Sequence, residues 1–205
     1  MYLKSVVCAL SSAVSFSVFA QTENSESKNI DLFASAGYSF TKNLKLKNDT
    51  FGTYKPDSSA DFGAELSLSA LYSLPSLGIV TPVIGGGLHS AYTANKIEKE
   101  KTEIYWASAE ANAGVKFNPV SSLQVFTLAN LGYAGISEIS DKTDSSRLKN
   151  HYYYGATVIG TVPLTDAMSV GGSVAYNRHS AKYKDDDTSL SFNQFTTALV
   201  LQYSI

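Results

Sequence analysis

Cysteine is almost missing. The 205 residues hold one, Cys8, so no disulfide can staple the fold and paired thiol chemistry is closed to it. Long apolar runs are missing as well: the stretch from Val6 to Phe19 is broken by serines and is shorter than the roughly 20 apolar residues a helix needs to cross a bilayer. No later segment comes nearer to that length. Positive charge is not in excess, with 16 Lys and Arg against 18 Asp and Glu, which excludes the basic field that nucleic-acid binding requires. Histidine is scarce too, at three residues.

What is present begins with a separate leader. Lys4, the apolar run to Phe19 and the small-residue end Val18-Phe19-Ala20 have the order of a signal peptide, and cleavage after Ala20 is expected. Cys8 lacks a lipobox, since Ser5, Val6 and Val7 precede it. A polar lead follows from Gln21 to Asn29, and residues 30–205 are expected to form one exported domain.

That domain alternates. In ADFGAELSLSALYSL, Ala60 to Leu74, one side of a two-residue repeat carries Phe62, Ala64, Leu66, Leu68, Ala70, Tyr72 and Leu74, and the other carries Asp61, Glu65, Ser67 and Ser69. Eight such segments follow one another: 30–40, 60–74, 79–92, 103–117, 123–137, 151–163, 168–179 and 190–205. Strands that span a membrane must close into a barrel to satisfy their backbone. The connections alternate in length. Pro75 to Gly78, Asn118 to Ser122 and Leu164 to Ala167 are tight, whereas TKNLKLKNDTFGTYKPDSS, TANKIEKEKT, EISDKTDSSRLKN and AKYKDDDTS are long and charged. Short turns at one end and longer loops at the other are the layout of an outer-membrane barrel. The expected fold is all-β: an eight-stranded antiparallel up-and-down transmembrane barrel with short periplasmic turns and four longer extracellular loops.

Aromatic placement decides which face meets lipid. The apolar phase carries Tyr38, Phe40, Phe62, Tyr92, Tyr105, Tyr133, Tyr152, Tyr154, Tyr176 and Phe195 toward the loop end, and Tyr72, Phe117 and Tyr203 toward the turn end. Aliphatic and small residues fill the stretch between. Two aromatic belts around an apolar band are what a lipid-facing wall requires, so the polar phase lines a lumen that eight strands leave just wide enough for side chains.

PVIGGGL, GVKFNPVSSLQVFTLANLGYAG, YYYGATVIGTVPLTDAMSVGGSVAYN and the closing FTTALVLQYSI resemble the strand-turn-strand phrasing of small outer-membrane proteins of the OmpA-transmembrane, OmpX/Ail and opacity-protein type. The resemblance spans residues 30–205. It implies location in the outer membrane and recognition by the barrel-assembly machinery. The family commonly ends its last strand on Phe or Trp, whereas this chain ends on Leu199, Leu201, Tyr203 and Ile205.

Few residues are placed for chemistry. His89-Ser90 and His179-Ser180 are adjacent pairs, which a strand points to opposite faces, so a catalytic Ser/His site is not expected; His89, His151 and His179 are assigned to the barrel mouths. On the inner phase Glu65 and Glu110, with His89 or Lys116 as partner, are expected to form a buried polar network, because an unpaired carboxylate is costly there. Asp185-Asp186-Asp187 lacks the Gly turn and distal Glu of a calcium loop. No metal, cofactor or catalytic residue is expected.

Lys42, Lys45, Lys47 and Lys55 outnumber Asp49 and Asp57 in the first loop, and long basic side chains there would meet lipopolysaccharide phosphates or a protein partner. The expected partners are outer-membrane lipid and lipopolysaccharide, the barrel-assembly machinery and a host or matrix surface molecule, with the chain a monomer. The expected role is non-enzymatic presentation of surface loops, in adhesion or envelope structure. A narrow channel or a lipid-modifying enzyme is the alternative, and a soluble lipocalin-like barrel the third reading.

Overall fold

A computed structural model describes residues 29–48, 52–56, 58–97, 100–120, 122–141, 145–184 and 188–205, without the side chains at 58–62, 97 and 100. The expected signal peptide, the lead up to residue 28, Asp185 to Asp187 and the side chain of Phe62 lie outside these residues. The strands are β1 (Ile30–Asn48), β2 (Gly52–Tyr54), β3 (Ser58–Ser73), β4 (Val80–Ile97), β5 (Glu100–Val120), β6 (Leu123–Ser140), β7 (Ser145–Pro163), β8 (Met168–Tyr183) and β9 (Ser189–Ser204). Eight of them run antiparallel in chain order, and β9 returns to pair with β1. The short β2 only folds back on the end of β1, with Leu46 opposite Tyr54.

The seam is complete. Asp31 to Lys47 of β1 runs against Ser189 to Ser204 of β9, and beyond it Ile30 and Ile205 exchange backbone hydrogen bonds of 3.0 and 2.9 Å. A closed ladder has no edge from which pairing can spread or fray. At the turn end Gly78 takes a φ of 67° that a residue with a Cβ adopts only at a cost, and the hydroxyl of Thr165 accepts from the N–H groups of Ala167 and Met168.

Alternation is as the sequence implies. Leu88, Leu131, Val174 and Leu199 stand 58 to 76% exposed on the outer face, and the outward positions between the two aromatic belts carry no charge. An apolar girdle of this extent does not belong in water; it is the surface of a wall in lipid. Ala109 faces outward and Asn112 inward. Ala109→Arg is therefore expected to cost about 2 to 4 kcal/mol in urea unfolding from bilayers, with Asn112→Ser well below that; the reverse order would invert the wall.

The strands extend beyond the expected segments at the loop end. Most of TANKIEKEKT is hairpin, with Ala94 opposite Glu103 and Lys96 opposite Lys101. The strands thus run further into the four long connections than expected, to Asn48, Ile97, Ser140 and Tyr183 on the rising side and from Ser58, Glu100, Ser145 and Ser189 on the returning side, because charged side chains above the lipid level are compatible with strand pairing. Irregularities cluster in this upper part. Register shifts occur at Lys42/Lys45, Ala60/Gly63, Lys149/Tyr152 and opposite Ala107/Ser108, where Gly135 is the extra residue. Asn43 and Asn150 sit at the first and third of these with φ of 56° and 50°. Each bulge inserts one residue and so re-aims the strand beyond it. Leu44, Ile139 and Leu148 thereby become buried.

Candidate functional site

The lumen is layered. Nearest the turns, Lys116 Nζ donates to Asp31 Oδ2 at 2.9 Å, and Asp31 Oδ1 accepts from Gln202 and Ser204 at 2.9 and 2.6 Å. Gln202 also reaches Gln124 and accepts from Thr161. The next layer is apolar: Phe33, Leu71, Val83, Phe126, Leu128, Ile159 and Val200, with Phe33 edge-on to Phe126 at 5.1 Å between centroids. Toward the loops a second apolar layer holds Leu44, Ile104, Trp106, Ile139, Leu148, Leu190 and Phe192. The inner phase is expected to be polar with a few apolar interruptions, Leu71, Phe126 and Ile159 among them; the structure gathers these three into one of two continuous apolar layers, or plugs.

Between the plugs lies the polar center. His89 Nε2 is 3.2 Å from Glu65 Oε2, and both side chains are at least nine-tenths buried. The same oxygen accepts from Thr196 at 2.7 Å and Gln194 at 3.4 Å. Tyr153 donates to Glu110 at 2.9 Å and also lies 3.3 Å from His89 Nδ1. Gly132 makes this possible, since any Cβ there would enter the Tyr153 ring. Three of the four expected network residues therefore come together. Lys116 does not join them: it stands six places from Glu110 on β5, about 20 Å at strand rise, and pairs instead with Asp31.

The histidines are not at the mouths. His151 and His179 are fully buried, because they share the inner phase with Tyr153 and Asn177 beneath the upper plug. They continue the central network: Ser137 Oγ meets His151 Nδ1 at 2.8 Å, His151 Nε2 meets His179 Nδ1 at 3.0 Å, and His179 Nε2 meets Gln194 Oε1 at 2.9 Å. Gln194 spends its amide N–H on Glu65, which turns its carbonyl to His179. With neutral rings the chain then runs one way, every donor pointing from Ser137 toward the Glu65 carboxylate. From Ser137 to Glu110 the hydrogen bonds tie β6, β7, β8, β9, β3, β4 and β5 together across the lumen. His179 also stacks on Phe192 at 4.5 Å and 4°, and Trp106 closes on both His151 and His179.

This chain of bonds contains a serine beside a histidine, though not the adjacent pairs of the sequence. Ser137 becomes an inward residue only because the Gly135 bulge shifts the phase of β6, so plain alternation from Leu123 could not find it. It is 5% exposed. The central cavity, about 60 Å³ and bounded by Glu65, His89, Glu110, Asn112 and Asn130, does not reach it. That volume suits a few waters, not an acyl chain. Among the described residues no group of three His, Cys, Asp or Glu side chains is arranged to hold a metal.

On the outer wall the Asn43 bulge has a second effect. Lys45 and Lys47 pair with Ser191 and Ser189 and share the outward face with Lys42, where uninterrupted alternation would have turned them inward. Lys42 lies 5.6 Å over the ring of Phe40. Lys45 and Lys55 meet at one recess, joined by Arg178 of β8. On the other side, above Tyr105, Lys101 sits 2.8 Å from Glu103 and holds its carboxyl below the usual range, aided by a hydrogen bond with Tyr92. Of the expected belt residues, Tyr38, Tyr133, Tyr152, Tyr154 and Tyr176 above and Tyr72 below are exposed on the outer face.

No family model matches the chain, and no curated protein matches it in sequence. Its fold is that of solved outer-membrane β-barrels. Neisserial surface protein A aligns with a TM-score of 0.51 at 15% identity, over 86% of this chain and 97% of that one. The outer membrane protease OmpT of Escherichia coli aligns with a TM-score of 0.50 at 12% identity, over 90% and 99%. The expected resemblance to small outer-membrane barrels holds at the level of fold.

Proposed function

We propose that this chain is an integral outer-membrane barrel with a closed lumen, exported by a cleaved signal peptide, that works through its outer surface in adhesion or envelope structure and is not an enzyme. The filled interior carries this reading. A solute crossing the barrel would have to pass the Asp31–Lys116 pair, the Phe33–Phe126 layer, the bonded center and the Trp106–His179–Phe192 stack in turn. Extended hairpins above the belts offer the surface to a host or matrix molecule, and the assembly machinery and surrounding lipid are its other partners. Planar-bilayer recording of the refolded protein tests the lumen: the expected trace shows no steady conductance. A large, stable conductance in wild type would put the narrow channel first. Loop accessibility on intact cells tests the orientation.

The Ser137–His151 contact favours a second reading, a lipid-modifying enzyme. It is the weaker one, because Ser137 is buried beside Trp106 and the central cavity is not lined by it.

A further inference from the structure

Phe40, Phe195 and Tyr176 stand side by side on the outer wall, Phe40 opposite Phe195 and Phe195 opposite Tyr176. Their rings lie 5.4 and 4.8 Å apart. One outward step toward the loop end, about 7 Å along the strands, the next row reads Lys42, Asn193 and Arg178. The rows above it add Lys45, then Lys47 and Lys182, around the neutral Ser191 and Ser189 of β9. Among the described residues no acidic side chain interrupts this face: β8 and β9 contain none, and the one in β1, Asp31, points into the lumen. The opposite wall carries Glu103, one outward step above Tyr105, and Glu138, opposite Tyr105. On the described outer surface the other wall mixes Lys101 and Arg147 with Glu103 and Glu138, whereas the side of β8, β9 and β1 carries basic residues without acidic ones. There a recess of about 510 Å³ is framed by Lys45, Lys55, Arg178 and Tyr176.

We propose that this wall of β8, β9 and β1 is a binding site for the phosphate groups of a membrane glycolipid in the surrounding leaflet. The reasoning rests on the outer-membrane reading above and adds a ligand and a place to it. An aromatic belt marks the level of the lipid headgroups, and cations one step outward stand where headgroup phosphates lie. A guanidinium offers a fork of donors to phosphate oxygens and lysines add point charges. Asn193 and the serines supply neutral donors between them. A soluble polyanion would reach the same cations only from above. A lipid phosphate in the surrounding leaflet reaches them from the side, at the level of Lys42, Asn193 and Arg178.

The test uses the refolded full-length mature barrel in lipid nanodiscs, with bisphosphorylated lipid A and its enzymatically dephosphorylated form as probes, and a sulfated polysaccharide as a soluble polyanion. Bisphosphorylated lipid A should be retained and the dephosphorylated form bound far more weakly. Lys45→Gln/Arg178→Gln should weaken retention by about 30-fold, from roughly fivefold per basic residue at an anionic surface. Lys101→Gln on the opposite wall should leave it unchanged. Equal binding of the two lipid forms, or a double variant that binds like wild type, overturns the site while leaving the outer-membrane reading intact. Preference for the polysaccharide over the lipid overturns it in favour of a soluble partner. Failure of the wild-type barrel to insert into nanodiscs overturns both. Because removing phosphate alters only the ligand, the comparison stands even if a variant folds poorly.

Discussion

Glu65→Gln lowers the unfolding free energy of the barrel by about 3 to 5 kcal/mol, the scale of removing one partner from a buried charged pair. The size follows from convergence. One carboxylate oxygen serves His89, Gln194 and Thr196, and an amide carbonyl can replace it for at most part of that set. Its NH₂ group also brings donors into a space that already has too many. A buried donor left without an acceptor costs about 1 to 3 kcal/mol, so two orphaned donors alone reach the lower part of the range. The effect should spread along the chain of bonds, since Gln194 orients His179 and His179 orients His151. Urea unfolding in bilayers, run with His89→Gln and the double variant, isolates the pair: a strongly non-additive cycle is expected. A loss below about 1 kcal/mol would mean that packing of the two plugs, not the polar center, holds the lumen closed.

The wall of this barrel was legible in the sequence and its interior was not, for a geometric reason. Alternation reports which way a side chain points, so the opposition of Leu66 and Leu68 to Glu65 and Ser67 settles inside from outside. The Tyr positions then settle lipid from water. Alternation says nothing about height. In a closed, tilted barrel the neighbours across the lumen depend on register around the whole ring, and register depends on turns and bulges. Glu110 and Lys116 share a phase and were natural partners by that criterion, yet they lie in different layers. Bulges hide in the same way. Asn43, Gly135 and Asn150 are residue types that tolerate such backbone or lack a side chain, and each marks a change of phase, which places Leu44, Ser137 and Leu148 respectively. A one-residue slip in the two-residue repeat, centered on an Asn or Gly, is the signal that could have located them.

The same geometry explains why the polar center is enclosed. Trp106, Tyr153, His179 and Phe192 are too large for one layer of an eight-stranded lumen unless some inward positions are small, and Gly132, Ala134 and Ala181 are the positions that yield. Gly132 has Glu110 and Tyr153 as its cross-strand neighbours, so the absence of one side chain admits a ring that bonds the next strand but one. Size complementarity on the inner face thus turns a row of separate strands into a plug. Hydrogen bonds then fix which rotamers the plug uses. Closure of the pore and rigidity of the loop-bearing rim are in this sense one property: the bonds that block passage also join the strands from which the hairpins rise.

Lys116→Met should be as damaging as Glu65→Gln, and for a cleaner reason. Asp31 is 2% exposed and Lys116 17%, so the pair sits in the lumen behind the turn-end opening, with Lys116 reaching from β5 across to β1. Removing the ammonium leaves a carboxylate whose remaining donors, Gln202 and Ser204, are neutral, and a buried charge stripped of its partner costs about 3 to 5 kcal/mol. Gln202 cannot compensate by moving, because it is already held by Thr161 and Gln124. Met keeps the stem that packs over Phe126, where the ammonium lies 5.7 Å from the ring, so lost packing contributes little. Asp31→Asn/Lys116→Met should regain most of the loss, since an amide oxygen still accepts from Gln202 and Ser204 and no unpaired charge remains in this layer. The measurement is the double-mutant cycle in urea, with the refolded barrel's heat-modifiable gel shift as the check on native structure. If the two single losses simply add in the double variant, the ion pair has no coupling, and Asp31 is held by Gln202 and Ser204 alone.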